Sequence, residues 1–216
     1  MHIRLLALAS VAAVSAVVAP SFASASTTPS ATVRVTVRPV TSTGHPAPGF
    51  TLQSEPTGSV DCTAKLPSPG AVDANIDFCS PSAEYAIACW KSAVRQRVLC
   101  FRDPQSKKVY RIPRTGAFAP TAAPPVADRA PLLMVLMDGD RCSIRDGGAG
   151  GSLTNHPNLY QTYYCINDGQ VWASATSHHF GVNEANASWT VKTAPAGNHP
   201  LTTRHVKKAY FVGTKH

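Results

Sequence analysis

The chain has 216 residues, a formal net charge of +8 at pH 7, and charged side chains at only 15% of positions. That length holds one or two small domains. Its 18 prolines and low charge argue against long helices and for short elements joined by many turns.

Residues 1–25 read as a cleavable export signal. Met1-His2-Ile3-Arg4 gives a positive start, residues 5–19 form an apolar run, and Pro20 breaks it. Ala23-Ser24-Ala25 fits the small-x-small rule, which makes Ser26 the new amino terminus, with cleavage before Ser24 as the alternative. The run is shorter than the roughly 20 apolar residues a spanning helix needs. Residues 132–137 form the next apolar run and are shorter still, so no transmembrane segment is expected after cleavage. No cysteine near the cleavage point offers a lipid anchor. The expected location is extracytoplasmic: secreted, or in the cell envelope.

Residues 26–60 read as a Ser/Thr/Pro-rich disordered tail, because 21 of these 35 positions are Ser, Thr, Pro or Gly. Within it, Val33-Arg34-Val35-Thr36-Val37-Arg38 alternates strictly and predicts one strand. Residues 116–131 are rich in Ala and Pro and read as a linker. They separate a disulfide-rich lobe at 61–115 from a second β lobe at 132–216. Strands are expected at 76–78, 86–90, 97–101, 108–112, 132–137, 162–166, 171–175, 189–191 and 209–212. Asp138-Gly139, Asp146-Gly147-Gly148 and Asp168-Gly169 are turn signals. The fold class is therefore mostly β: small disulfide-stapled antiparallel sheets or hairpins in one or two lobes. One stretch has two readings. Ser80-Pro81 could cap a helix carrying Ala83, Ile87, Trp90, Val94 and Val98 at helical spacing. The strand-like Arg97-Val98-Leu99-Cys100-Phe101 favours a hairpin turning near Val94-Arg95.

The six cysteines are Cys62, Cys79, Cys89, Cys100, Cys142 and Cys165, all in the mature chain. An even count without any C-x-x-C pair reads as three disulfides in an oxidising compartment. Cys89 faces Cys100 across the expected hairpin. Cys142 and Cys165 flank a glycine-rich loop in the same way. Cys62 and Cys79 are left to each other. Such staples suit a lobe near 55 residues, which buries little apolar surface.

Charge carries the clearest functional signal. Lys91, Arg95, Arg97, Arg102, Lys107, Lys108, Arg111 and Arg114 stand against one acid, Asp103, in residues 91–114. The rest of the mature chain holds eleven bases and eleven acids, so the whole excess sits in this segment. These eight residues are the candidate anion-binding set, with an anionic polymer or a membrane surface as partner and no nucleic acid expected. A plain solvated face is the competing reading.

Catalytic and metal motifs fail one by one. There is no G-x-S-x-G, and the glycines at 147–151 lack the Gly-Lys-Ser/Thr of a phosphate loop. Asp138-Gly139-Asp140 begins like a calcium loop but meets Cys142 at the next ligand position. His178-His179 would point to opposite faces of a strand. No catalytic residue, cofactor or metal is assigned.

Six runs together are similar to a known group: Cys79-Ser80-Pro81-Ser82-Ala83-Glu84, Ala88-Cys89-Trp90, Cys100-Phe101-Arg102-Asp103-Pro104, residues 138–149, Tyr164-Cys165 and Trp189-Thr190-Val191-Lys192. They resemble uncharacterised small exported, disulfide-containing proteins of high-GC Gram-positive bacteria. The resemblance implies a location and no activity. The expected function is a non-enzymatic exported protein binding an anionic envelope or extracellular ligand. A secreted hydrolase and a structural or antigen-like secreted protein are the alternatives.

Overall fold

The computed structural model describes residues 29–54, 58–80, 86–145, 151, 153–167 and 169–216. The export signal, Asp146-Gly147-Gly148, Pro81, Ala83 and Asp168 lie outside the described residues. Thirteen strands and no α-helix are described: β1 Val33–Thr41, β2 Thr51–Ser54, β3 Val60–Pro67, β4 Asp77–Ser80, β5 Cys89–Lys91, β6 Arg97–Cys100, β7 Lys108–Thr115, β8 Leu133–Leu136, β9 Arg141–Ile144, β10 Leu159–Cys165, β11 Gln170–Ser174, β12 Thr190–Ala194 and β13 Thr202–Lys215. No helix among the described residues is long and apolar enough to cross a membrane.

The strands form two closed sheets, one per lobe. β3 to β7 make a five-stranded meander and β8 to β13 a six-stranded one. Successive strands of a meander alternate in direction. An odd ring must therefore close with its ends parallel and an even ring with its ends antiparallel. The two closures obey this: β3 lies parallel to β7, and β8 antiparallel to β13. The three disulfides are Cys62–Cys79, Cys89–Cys100 and Cys142–Cys165, each joining neighbouring strands.

The stretch read as a free tail departs from that expectation. The predicted strand forms as β1 and lies parallel along β13, while β2 lies parallel along β7. Local composition missed this because both partners come from distant sequence. Val40 is fully buried, and Arg34 lies 4.9 Å from the Trp189 ring and 4.6 Å from the Phe211 ring while pairing with Glu184 at 3.2 Å. These contacts hold β1 in place. At Gly44 a Cβ would lie 2.6 Å from the backbone of Lys91 and Ala93, so only glycine lets the β1–β2 loop sit on the β5–β6 hairpin.

The two lobes share a core. One cluster runs from the interior of the second sheet (Met134, Tyr163, Val191) to the outer face of the first (Trp90, Leu99, Phe101, Val109). β13 also bonds across the junction. The Val72 amide donates to the Val212 carbonyl, the Val212 amide to the Gly70 carbonyl, and Trp90 Nε1 to Thr214 Oγ1. The 116–131 segment, expected as a linker, is tied to the first lobe along its length. Thr121 donates to the buried Asp77, and the Ala130 amide to the Pro69 carbonyl.

The Asp138-Gly139-Asp140 turn joins β8 to β9, and its carboxylates are occupied by the protein itself. Arg204 on β13 donates from Nη1 to Asp140 at 3.0 Å and from Nε to Asp138 at 3.1 Å. Asp140 Oδ1 also accepts from the amides of Arg141 and Asn167. Burial alone would raise the Asp138 carboxyl, but the bonds from Arg204 and from the Asp140 amide outweigh it and hold the carboxyl below its usual range. Replacing Arg204 by Ala is expected to cost about 3 kcal/mol in urea unfolding, because Asp140 is then left buried without its cation. Unchanged stability would show that the turn holds without the pair.

Candidate anion-binding site

The β5–β6 hairpin builds the first cationic cluster. Its register is Cys89↔Cys100, Trp90↔Leu99 and Lys91↔Val98. Val98 and Cys100 fill the first sheet, and Trp90 and Leu99 face the shared core. With apolar groups committed to both faces, the charged residues are left at the tip. There the Arg97 amide donates to the Val94 carbonyl at 3.2 Å, and Gln96 takes a left-handed φ of 55°. β7 runs alongside with Pro113 opposite Arg97, so the Arg114 amide reaches the Gln96 carbonyl at 3.1 Å.

Lys91, Arg95, Arg97 and Arg114 thus line one hollow of about 310 Å³. Lys91 and Arg95 are exposed, and Arg97 and Arg114 are half-buried. None of the four pairs with a carboxylate among the described residues. Arg114 Nη1 donates to the Gly116 carbonyl, while its Nε is buried without a partner.

The other four members of the basic segment go elsewhere. Lys107 and Lys108 stand exposed at the opposite end of β7, about 20 Å from Arg114 at the usual strand rise. Arg111 is half-buried between Leu99 on β6 and Ser54 on β2. Arg102 stacks 5.3 Å from the Tyr110 ring and faces a second hollow between the lobes. The eight residues therefore form one group of four at the hairpin tip and a dispersed remainder.

No protein-family model, curated protein or solved structure matches the chain.

Other constellations in the fold are occupied by structural duties. Asp140, Cys142 and Cys165 lie within 4.8 Å of one another, but the two sulfurs are bonded together and have no thiolate to offer a metal. Ser188 Oγ lies 3.0 Å from His205 Nδ1, and no carboxylate pairs with that imidazole among the described residues. His179 Nδ1 donates to the Arg129 carbonyl at 2.6 Å and sits 3.8 Å from Glu184, on a left-handed turn with Phe180. Burial raises the Glu184 carboxyl against the pull of His179 and Arg34. Its role is to anchor β1 through Arg34.

Arg141 and Arg145 share the interlobe hollow with Arg102, and neither stood out in the sequence. They lie outside the basic segment, in a chain whose remaining acids and bases balance, so a charge count shows nothing there. The acids Asp138 and Asp140 are tied to Arg204 instead.

Proposed function

We propose that the protein is exported and acts without catalysis, holding an anionic polymer of the envelope or extracellular space at the tip of the β5–β6 hairpin. The supporting observation is the meeting of Lys91, Arg95, Arg97 and Arg114 around one hollow with no carboxylate paired to them among the described residues. Four cations held by three strands and a turn are partly preorganised, which lowers the entropy lost on binding. Three disulfides and the signal-like amino terminus support an extracytoplasmic setting.

Binding to soluble polyglutamate and to anionic vesicles, measured over a range of salt, tests this. Affinity for the polymer should fall steeply with ionic strength. The double variant Arg95→Gln/Arg97→Gln should bind about tenfold more weakly at low salt, a change of about 1.4 kcal/mol. Lys107→Gln/Lys108→Gln, at the far end of β7, should change binding much less. Equal affinity for wild type and Arg95→Gln/Arg97→Gln would end the proposal, and binding to vesicles alone would replace the polymer with a lipid surface.

A further inference from the structure

A hollow lies between the two lobes and has a lining of mixed chemistry. It measures about 710 Å³, within the range of small-ligand sites. Register explains its second-lobe wall. Along β9 the side chains of Cys142 and Ile144 turn inward, so Arg141, Ser143 and Arg145 turn out. Along β10 Tyr163 and Cys165 turn inward, so Tyr164 turns out, followed by Ile166. Tyr164 stands opposite Ser143, and the Ile166 amide bonds to the Arg141 carbonyl at 3.0 Å. Guanidinium groups and exposed apolar groups are therefore side by side on one face. The first lobe adds Arg102 and Asp103 on the opposite wall, and buried Ile87 also lines the hollow.

Three features define the ligand chemistry. First, Tyr164 and Ile166 are 56% and 58% exposed, next to each other at the rim, where an apolar body would cover them. Second, arginines come to the hollow from both walls, and Arg141 balances the charge of Asp103 at 3.2 Å, so that acid does not repel an incoming anion. Third, Arg102 and Arg145 are held in place, over Tyr110 and by the Gln161 amide oxygen at 3.2 Å respectively, so their positions are set before a ligand arrives. Planar guanidinium groups suit a carboxylate, sulfonate or phosphate head.

We infer that this hollow is a site for a small amphiphilic anion, with an aliphatic or aromatic body on Tyr164 and Ile166 and an acidic head among Arg102, Arg141 and Arg145. It is separate from the hairpin tip, which has no large apolar group at comparable exposure beyond Val94.

The test uses 8-anilinonaphthalene-1-sulfonate as the probe with the full mature chain. Saturable fluorescence is expected, displaced by decanoate but not by acetate or decanol at the same concentration. Ile166→Asp and Arg102→Gln should each weaken the probe by about tenfold. Tyr164→Ser, at an exposed position, serves as the further variant should either of those misfold, and circular dichroism checks the fold of all three. Arg95→Gln/Arg97→Gln should leave probe binding unchanged, so failure here is distinguishable from failure at the hairpin tip. The inference is overturned by fluorescence that does not saturate, by decanol displacing as well as decanoate, or by folded Arg102→Gln and Tyr164→Ser that bind like wild type.

Discussion

Replacing Cys89 and Cys100 together by Ala should destabilise the protein by about 4 kcal/mol and open the first sheet. The interior of that sheet explains the size of the effect. Its buried cluster is Val60, Cys62, Cys79, Ala86, Cys89, Val98, Cys100 and Ile112. Half of its members are cystine halves, and the rest are small or medium aliphatic groups that cannot close the gap. β4 and β5 meet at the single register pair Asp77↔Cys89, so the sheet has little ladder to spare there. Urea unfolding followed by near-ultraviolet dichroism measures the loss. Removing Cys142–Cys165 in the same way should cost less, because that bridge sits in the larger shared core. Equal costs for the two removals would contradict this account of the first sheet.

Asp77→Asn should change the pH profile of stability more than any other single substitution in the first lobe. Asp77 is fully buried; its Oδ1 accepts from Thr121 Oγ1, and its Oδ2 has no partner. Burial pushes the carboxyl up to about 6, against the opposing hydrogen bond from Thr121. The folded protein therefore holds this proton more tightly than the unfolded chain. That contribution to stability is fully present below about pH 4 and is lost as the pH rises through about 6. The shift corresponds to about 3 kcal/mol as an upper bound. An amide keeps the acceptor for Thr121 and cannot ionise. Relative to wild type, Asp77→Asn should gain about 2–3 kcal/mol between pH 4 and pH 8. Urea midpoints at pH 4, 6 and 8 measure it, and a difference that stays flat across that range would refute the assignment.

Local pattern made much of this architecture legible. All ten expected strands overlap described ones, and the hairpin reading of residues 86–101 prevailed over the helix because Val98 and Cys100 face one side and Leu99 the other. The strands that escaped have little pattern to offer. β2 is exposed throughout, β9 has only Cys142 and Ile144 turned inward, and β3 has only Val60 and Cys62 buried before it ends at Pro67. The hairpin-tip cluster was partly legible, since Lys91, Arg95 and Arg97 are near neighbours in sequence. Arg114 joins them only through the β6–β7 register, and Arg141 and Arg145 meet Arg102 only because the lobes pack together. Contacts of that kind depend on the closed topology and leave no local trace.

The pairing of β1 with β13 also sets an order of events during synthesis. Val33 finds its partner at Lys208, so the first strand made must wait for the last. Until Thr202–Lys215 is available, the ring begun by β8 stays open, and Gly70 and Val72 lack the strand they bond to. Contacts between such distant segments form late, because closing a long loop costs entropy before any bond repays it. The final strand works as a latch that joins both lobes and the amino-terminal strand in one step. A nascent chain that has not yet released this strand is held short of its finished fold, with the second ring and the amino-terminal strand waiting on one late event.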